Sequence, residues 1–166
     1  NIKRILDDKI IGDGLVVKEF EQKIGEFLAD IYSSSSYNCV AVNSGTAALH
    51  LAYILAGIKE GDEVITPVLT CTATTHPILW LGAKSIFADI QKDTLNIDPK
   101  DIEKKITKKT KAIVVMHNGG LPCDMNRIRN ICRKNNLYFI TDAAHACGAQ
   151  YSNKKIGTEA EMVCFS

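Results

Sequence analysis

Residues 63–88 hold one full structural cycle: Glu63-Val64-Ile65-Thr66 is short, apolar and partly β-branched, Thr72 to Leu81 is a helical run closed by Gly82, and Lys84-Ser85-Ile86-Phe87-Ala88 returns to strand. β-branched and aromatic side chains pack well on a pleated surface, and a glycine just past a helix supplies the left-handed residue on which helices stop. Strand, helix and strand at this spacing predict a βαβ unit of a parallel sheet.

The same alternation continues in both directions. Toward the carboxyl end, Asp98-Pro99 combines an N-cap with a first-turn proline, Ala112 to Met116 is an apolar strand, and Asp124 caps a helix running to about Asn136. Tyr138 to Thr141 and Met162-Val163-Cys164-Phe165 read as further strands. Toward the amino end, Cys39-Val40-Ala41-Val42 reads as a buried strand that turns through Asn43-Ser44-Gly45-Thr46 into a helix ending at about Ala56, before Gly57. Ser33 to Ser36 reads as a loop. Before it, Val17, Phe20, Ile24, Phe27, Leu28 and Ile31 recur at three-and-four spacing, opposite Lys18, Glu19, Glu21 and Lys23, which predicts an amphipathic helix over 16–31. The expected fold class is α/β, a mostly parallel sheet with helices on both faces and ligands at the carboxyl ends of the strands. Residues 1–37 form its helical lead-in and 38–166 its sheet core, within one domain.

Composition narrows the function. The 166 residues are 46% hydrophobic and 23% charged, as in an ordinary globular domain. Twenty Lys+Arg against 19 Asp+Glu give a net charge of +1, without the basic, aromatic-studded surface that nucleic acid would require. The longest apolar runs fall far short of a membrane helix, and no leader pattern opens the sequence, so a cytoplasmic location is expected. Cys39, Cys71, Cys123, Cys132, Cys147 and Cys164 show no C-x-x-C pair, and His50, His76, His117 and His145 show no ligand spacing; no metal is expected. The sequence starts at Asn1 without a methionine and stops at Ser166 inside a predicted strand, so it reads as part of a longer chain.

Two places carry chemistry. Asn43-Ser44-Gly45-Thr46 puts small and hydroxylated residues at the start of a helix, where free N–H groups, the helix dipole and the Ser44 and Thr46 hydroxyls suit a phosphate; the alternative is an ordinary N-cap by Ser44. Phe139-Ile140-Thr141-Asp142-Ala143-Ala144-His145 ends an apolar strand on a carboxylate that faces the ligand crevice. In a pyridoxal enzyme an aspartate so placed keeps the ring nitrogen protonated; the alternative is that Asp142 caps the next turn. His145 would hydrogen-bond the ring oxygen, cover the ring, or serve structure alone.

Asn43-Ser44-Gly45-Thr46-Ala47-Ala48-Leu49-His50-Leu51-Ala52, Gly61-Asp62-Glu63-Val64-Ile65-Thr66-Pro67 and Asp142-Ala143-Ala144-His145 occur in the order and spacing of the DegT/DnrJ/EryC1/StrS aminotransferases, and the sequence resembles that family over nearly its whole length. Gly82-Ala83, Phe87-Ala88-Asp89-Ile90, Asn96-Ile97-Asp98-Pro99 and Gly157 before Cys164-Phe165-Ser166 add to the ordered set. The resemblance implies the aspartate-aminotransferase-like fold (PLP fold type I, large domain only, without the small C-terminal domain) and a homodimer. It also implies pyridoxal 5′-phosphate as cofactor and amino transfer, usually from glutamate, to a keto group on a nucleotide-linked sugar, in making an amino sugar such as those of surface glycans.

By matching position, the resemblance gives the cofactor phosphate to Gly45 and Thr46 with Ser166, and the ring nitrogen to Asp142. His145 stands where the family has glutamine or histidine near the ring oxygen. The family's lysine follows a few residues after the serine matched by Ser166 and lies outside this sequence, so these 166 residues alone are expected to be inactive. Some relatives are sugar dehydratases with a histidine in place of that lysine, and a non-catalytic protein on the same fold is a third reading. Where the family places an aromatic residue against the ring, this sequence has Cys71, which gives up stacking worth roughly 0.5–1.5 kcal/mol, or simply packs in the core.

Overall fold

The computed structural model describes residues 2–7, 12, 14–29 and 37–166. The chain divides into two compact units, Asn1–Val42 and Asn43–Ser166. Among the described residues, no helix is long and apolar enough to cross a membrane.

The first unit contains α1 (Ile2–Asp7) and α2 (Leu15–Leu28). The amphipathic period produces α2, which ends three residues short of the expected Ile31; Ile31 itself and the Ser33 to Ser36 run lie outside the described residues. Its outer face carries a Lys23–Glu19 ion pair at 2.9 Å, one helical turn apart. The predicted strand Cys39-Val40-Ala41-Val42 is not a strand. Residues 39–42 pair with no neighbour among the described residues, and Val40 is 76% exposed. Apolar, β-branched sequence gives a preference, but a strand exists only where a ladder satisfies its backbone. Here the Ala41 N–H instead donates to Glu21 Oε1 at 2.8 Å. Residues 39–42 thus belong with the first compact unit, which ends at Val42.

The second unit follows the alternation expected of it. It runs α3 (Gly45–Leu55), β1 (Glu63–Pro67), α4 (Thr72–Trp80), β2 (Lys84–Ala88), α5 (Pro99–Lys105), β3 (Thr110–Met116), a single 3-10 turn over Asn118–Gly120, α6 (Met125–Asn135), β4 (Tyr138–Asp142), a short hairpin of β5 (Gln150–Tyr151) and β6 (Lys154–Lys155), and β7 (Met162–Cys164). The caps expected from sequence form. Asp98 Oδ1 accepts the Lys100 N–H at 2.9 Å, and Asp124 Oδ1 the Arg127 N–H at 3.2 Å. The hairpin, with Ser152 and Asn153 both at positive φ, lacks the apolar run that announces a strand.

The main sheet has the order β2-β1-β3-β4-β7 and is parallel throughout, with Ile65 opposite Ile113, Val114 opposite Ile140, and Asp142 opposite both Met116 and Cys164. Successive side chains point to opposite faces. Val64, Ala112, Val114 and Ile140 therefore pack with Leu49, Ala52 and Tyr53 of α3 and Ile78 of α4. Ile65, Ile113, Val115 and Phe139 pack with Ile102 of α5 and Met125, Ile128 and Ile131 of α6. Two apolar layers thus cover the sheet, each fully buried Ile or Val adding about 1.5–3 kcal/mol. Because β1 lies between β2 and β3, the chain reverses its direction of travel there, and the crevice opens at the carboxyl ends of the strands.

Candidate active site

Asp142 is the last residue of β4 and only 4% exposed, so its carboxylate needs partners. Thr74 Oγ1 donates to Asp142 Oδ2 at 2.7 Å, and the Ala144 N–H donates to Oδ1 at 3.2 Å. One oxygen organises the turn after the strand, as a cap would, and the other is gripped by a side chain 68 residues away. Thr74 is fully buried in the first turn of α4, where its hydroxyl also meets Thr70 Oγ1 at 2.7 Å. Its backbone carbonyl accepts from Tyr53 Oη of α3 at 2.8 Å. Burial, the Asp142 charge and then Cys164 push the Tyr53 phenol well above its ordinary value, so it stays a neutral donor. Burial and then Asp142 likewise push the Cys164 thiol up to about 12, so no second anion sits beside the carboxylate.

The start of α3 forms another part of the same rim. Ser44 Oγ accepts the Ala47 N–H at 3.1 Å, and Ser44 O accepts that of Ala48 at 3.0 Å. The N–H groups of Gly45 and Thr46 precede any helical acceptor and remain for a ligand. Ser166 follows β7 to this helix. A Cβ built on Gly45 would lie 3.0 Å from Ser166 Cβ and 3.2 Å from its Oγ, so the absence of a side chain at Gly45 admits the Ser166 hydroxyl to the helix start.

Cys71 is the N-cap residue of α4, exposed, and its side chain makes no capping bond. His145 is exposed in the turn after Asp142, and its backbone carbonyl presses on Gly120, where a Cβ would lie 2.7 Å away and φ is +84°. Two groupings thus emerge from the expected residues: Ser44, Gly45 and Thr46 with Ser166, and Asp142 with the turn that carries His145. Cys71 lies one helical turn before Thr74. Three residues that hold this arrangement, Tyr53, Thr70 and Thr74, were not singled out in the sequence. The hydroxyls four apart at Thr70 and Thr74, flanking a helix start, are the signal that points to two of them.

The donor set fits a ligand with an anionic end and a protonated ring nitrogen. Helix N–H groups and hydroxyls suit a phosphate, and a buried, fixed carboxylate suits a cationic N–H.

The profile described as the DegT/DnrJ/EryC1/StrS aminotransferase family matches residues 1–166. The chain is 41% identical to the GDP-perosamine synthase of Escherichia coli O157:H7 over 157 residues, 95% of this chain and 42% of that protein. It superimposes on S. venezuelae DesV, solved in complex with a ketimine intermediate, with a TM-score of 0.92 and 33% identity over 99% of this chain and 43% of that one. Spr1654 of Streptococcus pneumoniae, solved in a PLP form, gives a TM-score of 0.88 and 30% identity over 99% of this chain and 45% of that one. The chain spans about two fifths of the length of these relatives.

Proposed function

Because the chain belongs to the DegT/DnrJ/EryC1/StrS aminotransferase family and has the aspartate-aminotransferase-like α/β fold, we propose that the whole protein is a pyridoxal-phosphate-dependent aminotransferase that places an amino group on a nucleotide-linked keto sugar. Glutamate is the proposed amino donor, and a homodimer the proposed working form. The observation that carries this reading is the Asp142 carboxylate, buried at a strand end and held by a hydroxyl and an N–H.

Pyridoxal phosphate, when bound, supplies an electron sink for the carbon that loses its proton. The residues of this chain do the rest of the work assigned to it here. Ser44, Gly45 and Thr46 at the start of α3, with Ser166, hold the phosphate and so fix the cofactor's position. Asp142 accepts the ring N–H and holds the proton on that nitrogen. His145 stands over the ring or beside its oxygen. Cys71 contacts the ring with less area than an aromatic side chain would. We place the reacting amine on a lysine a few residues beyond Ser166, as the family resemblance implies.

The reading is tested by adding pyridoxal phosphate to the whole protein. A new absorbance band near the visible is expected; glutamate should then convert the cofactor to its amine form, and a keto sugar nucleotide should consume that form and restore the band. The absence of any spectral change would overturn the cofactor assignment. A histidine at the lysine position would redirect the reaction to dehydration.

A further inference from the structure

Asp142 carries the only charge in a chain of three oxygens: Thr70 Oγ1 lies 2.7 Å from Thr74 Oγ1, which lies 2.7 Å from Asp142 Oδ2. A hydroxyl has one proton, and an ionised carboxylate has none. Thr74 must therefore spend its proton on Asp142, and its contact with Thr70 must be donated by Thr70. The order of donors is fixed in one direction, toward the carboxylate. The middle member cannot rotate away freely, because Thr74 is fully buried and its carbonyl is clamped by the Tyr53 hydroxyl from the neighbouring helix.

We propose that Thr70 and Thr74 are positioning residues for Asp142, a one-way hydroxyl relay that fixes the carboxylate as an acceptor and leaves its remaining lone pairs for the ring nitrogen of the cofactor. This deepens the pyridoxal-phosphate reading and rests on it. The relay strengthens the carboxylate's preference for a ligand that presents a ring N–H. It has no part in holding the phosphate, which lies with α3 and Ser166.

The test compares two ligands in the full-length protein, pyridoxal phosphate and its 1-deaza analogue, which has carbon in place of the ring nitrogen. Their affinity ratio isolates the Asp142 contact, because phosphate anchoring and general packing are common to both and cancel. The parent should prefer pyridoxal phosphate. Thr74→Val should cut that preference about tenfold, within the range of one hydrogen bond to a charged group. Thr74→Ser should restore it, and Thr70→Val, which removes only the outer donor, should cut it about threefold. Thr70→Val also keeps the question answerable if Thr74→Val does not fold. An unchanged ratio in both valine variants, or equal weakening of both ligands, overturns the relay while leaving the cofactor reading intact. A parent that binds neither ligand overturns the cofactor reading itself.

Discussion

Asp142 and Glu159 both neighbour His117, and their buried carboxylates are held in opposite ways. The Asp142 carbonyl accepts the His117 N–H at 3.3 Å, while its side chain is gripped by a hydroxyl from a distant helix and by one backbone N–H. Glu159 Oε2 instead takes two N–H groups from its own turn, Gly157 at 2.7 Å and Thr158 at 2.8 Å. Its other oxygen faces His117 Nε2 at 3.8 Å, beyond hydrogen-bond reach and with no hydrogen-bond partner. His117 Nδ1 accepts the Cys123 N–H at 3.2 Å, which places the proton of the neutral imidazole on Nε2, toward Glu159. The Arg129 guanidinium forks onto the Glu159 carbonyl at 2.9 and 2.7 Å. Asp142, the carboxylate proposed to serve a ligand, takes one of its two donors from 68 residues away, whereas both donors to Glu159 come from its own turn.

The comparison predicts unequal sensitivity, and the largest effect belongs to Asp142. In the whole protein, Asp142→Asn should keep cofactor phosphate anchoring but lower transamination by about a hundredfold or more, the scale of losing one preorganised charge-stabilising group. Near-normal turnover would remove the distinction between the two carboxylates. The effect on His117 is one of stability. His117→Leu strands the Cys123 N–H and sets an alkyl group against Glu159, so thermal or denaturant unfolding should show a loss of about 1–3 kcal/mol, while the pyridoxal-phosphate over deaza preference stays put.

The smallest effect concerns Glu159 and appears only in acid. Burial pushes its carboxyl up, but the His117 side chain and the Gly157 and Thr158 N–H groups outweigh burial and hold it below the ordinary 4.5. At 3.8 Å the imidazole is too far for a hydrogen bond, so we assign most of the lowering to the two backbone bonds. A carboxyl with a lowered folded value contributes stability that is complete above about 4.5 and is lost as pH falls through the folded value. Melting temperatures of parent and Glu159→Gln should therefore converge as pH drops from 5 toward 3. Parallel curves across that range would assign the acid sensitivity to another group.

Much of the architecture was legible because most strands and helices around the main sheet are announced locally. β3 and β4 are apolar runs, and Asp98 and Asp124 stand where caps form. The failure at Cys39 to Val42 has the opposite cause: pairing is a property of a partner strand, and composition cannot show whether one is present. The site divides along the same line. Asp142, Gly45 and Ser166 lie in motifs that read as ligand-facing, whereas Thr74 and Tyr53 gain their roles only when the fold brings α3 and α4 to the end of β4. The pair of hydroxyls at Thr70 and Thr74 marks a polar helix start, but nothing local in it names the carboxylate that Thr74 meets 68 residues later.

The distance along the chain between Gly45 and Ser166 has a kinetic meaning. Their contact closes a loop of about 120 residues, against 68 for Thr74 and Asp142, which costs about 0.5 kcal/mol more in chain entropy. We therefore expect the Thr74–Asp142 contact to form before the Gly45–Ser166 contact, which also needs β7 in the sheet. A cofactor supplied to the refolding chain should accelerate that last step rather than the first.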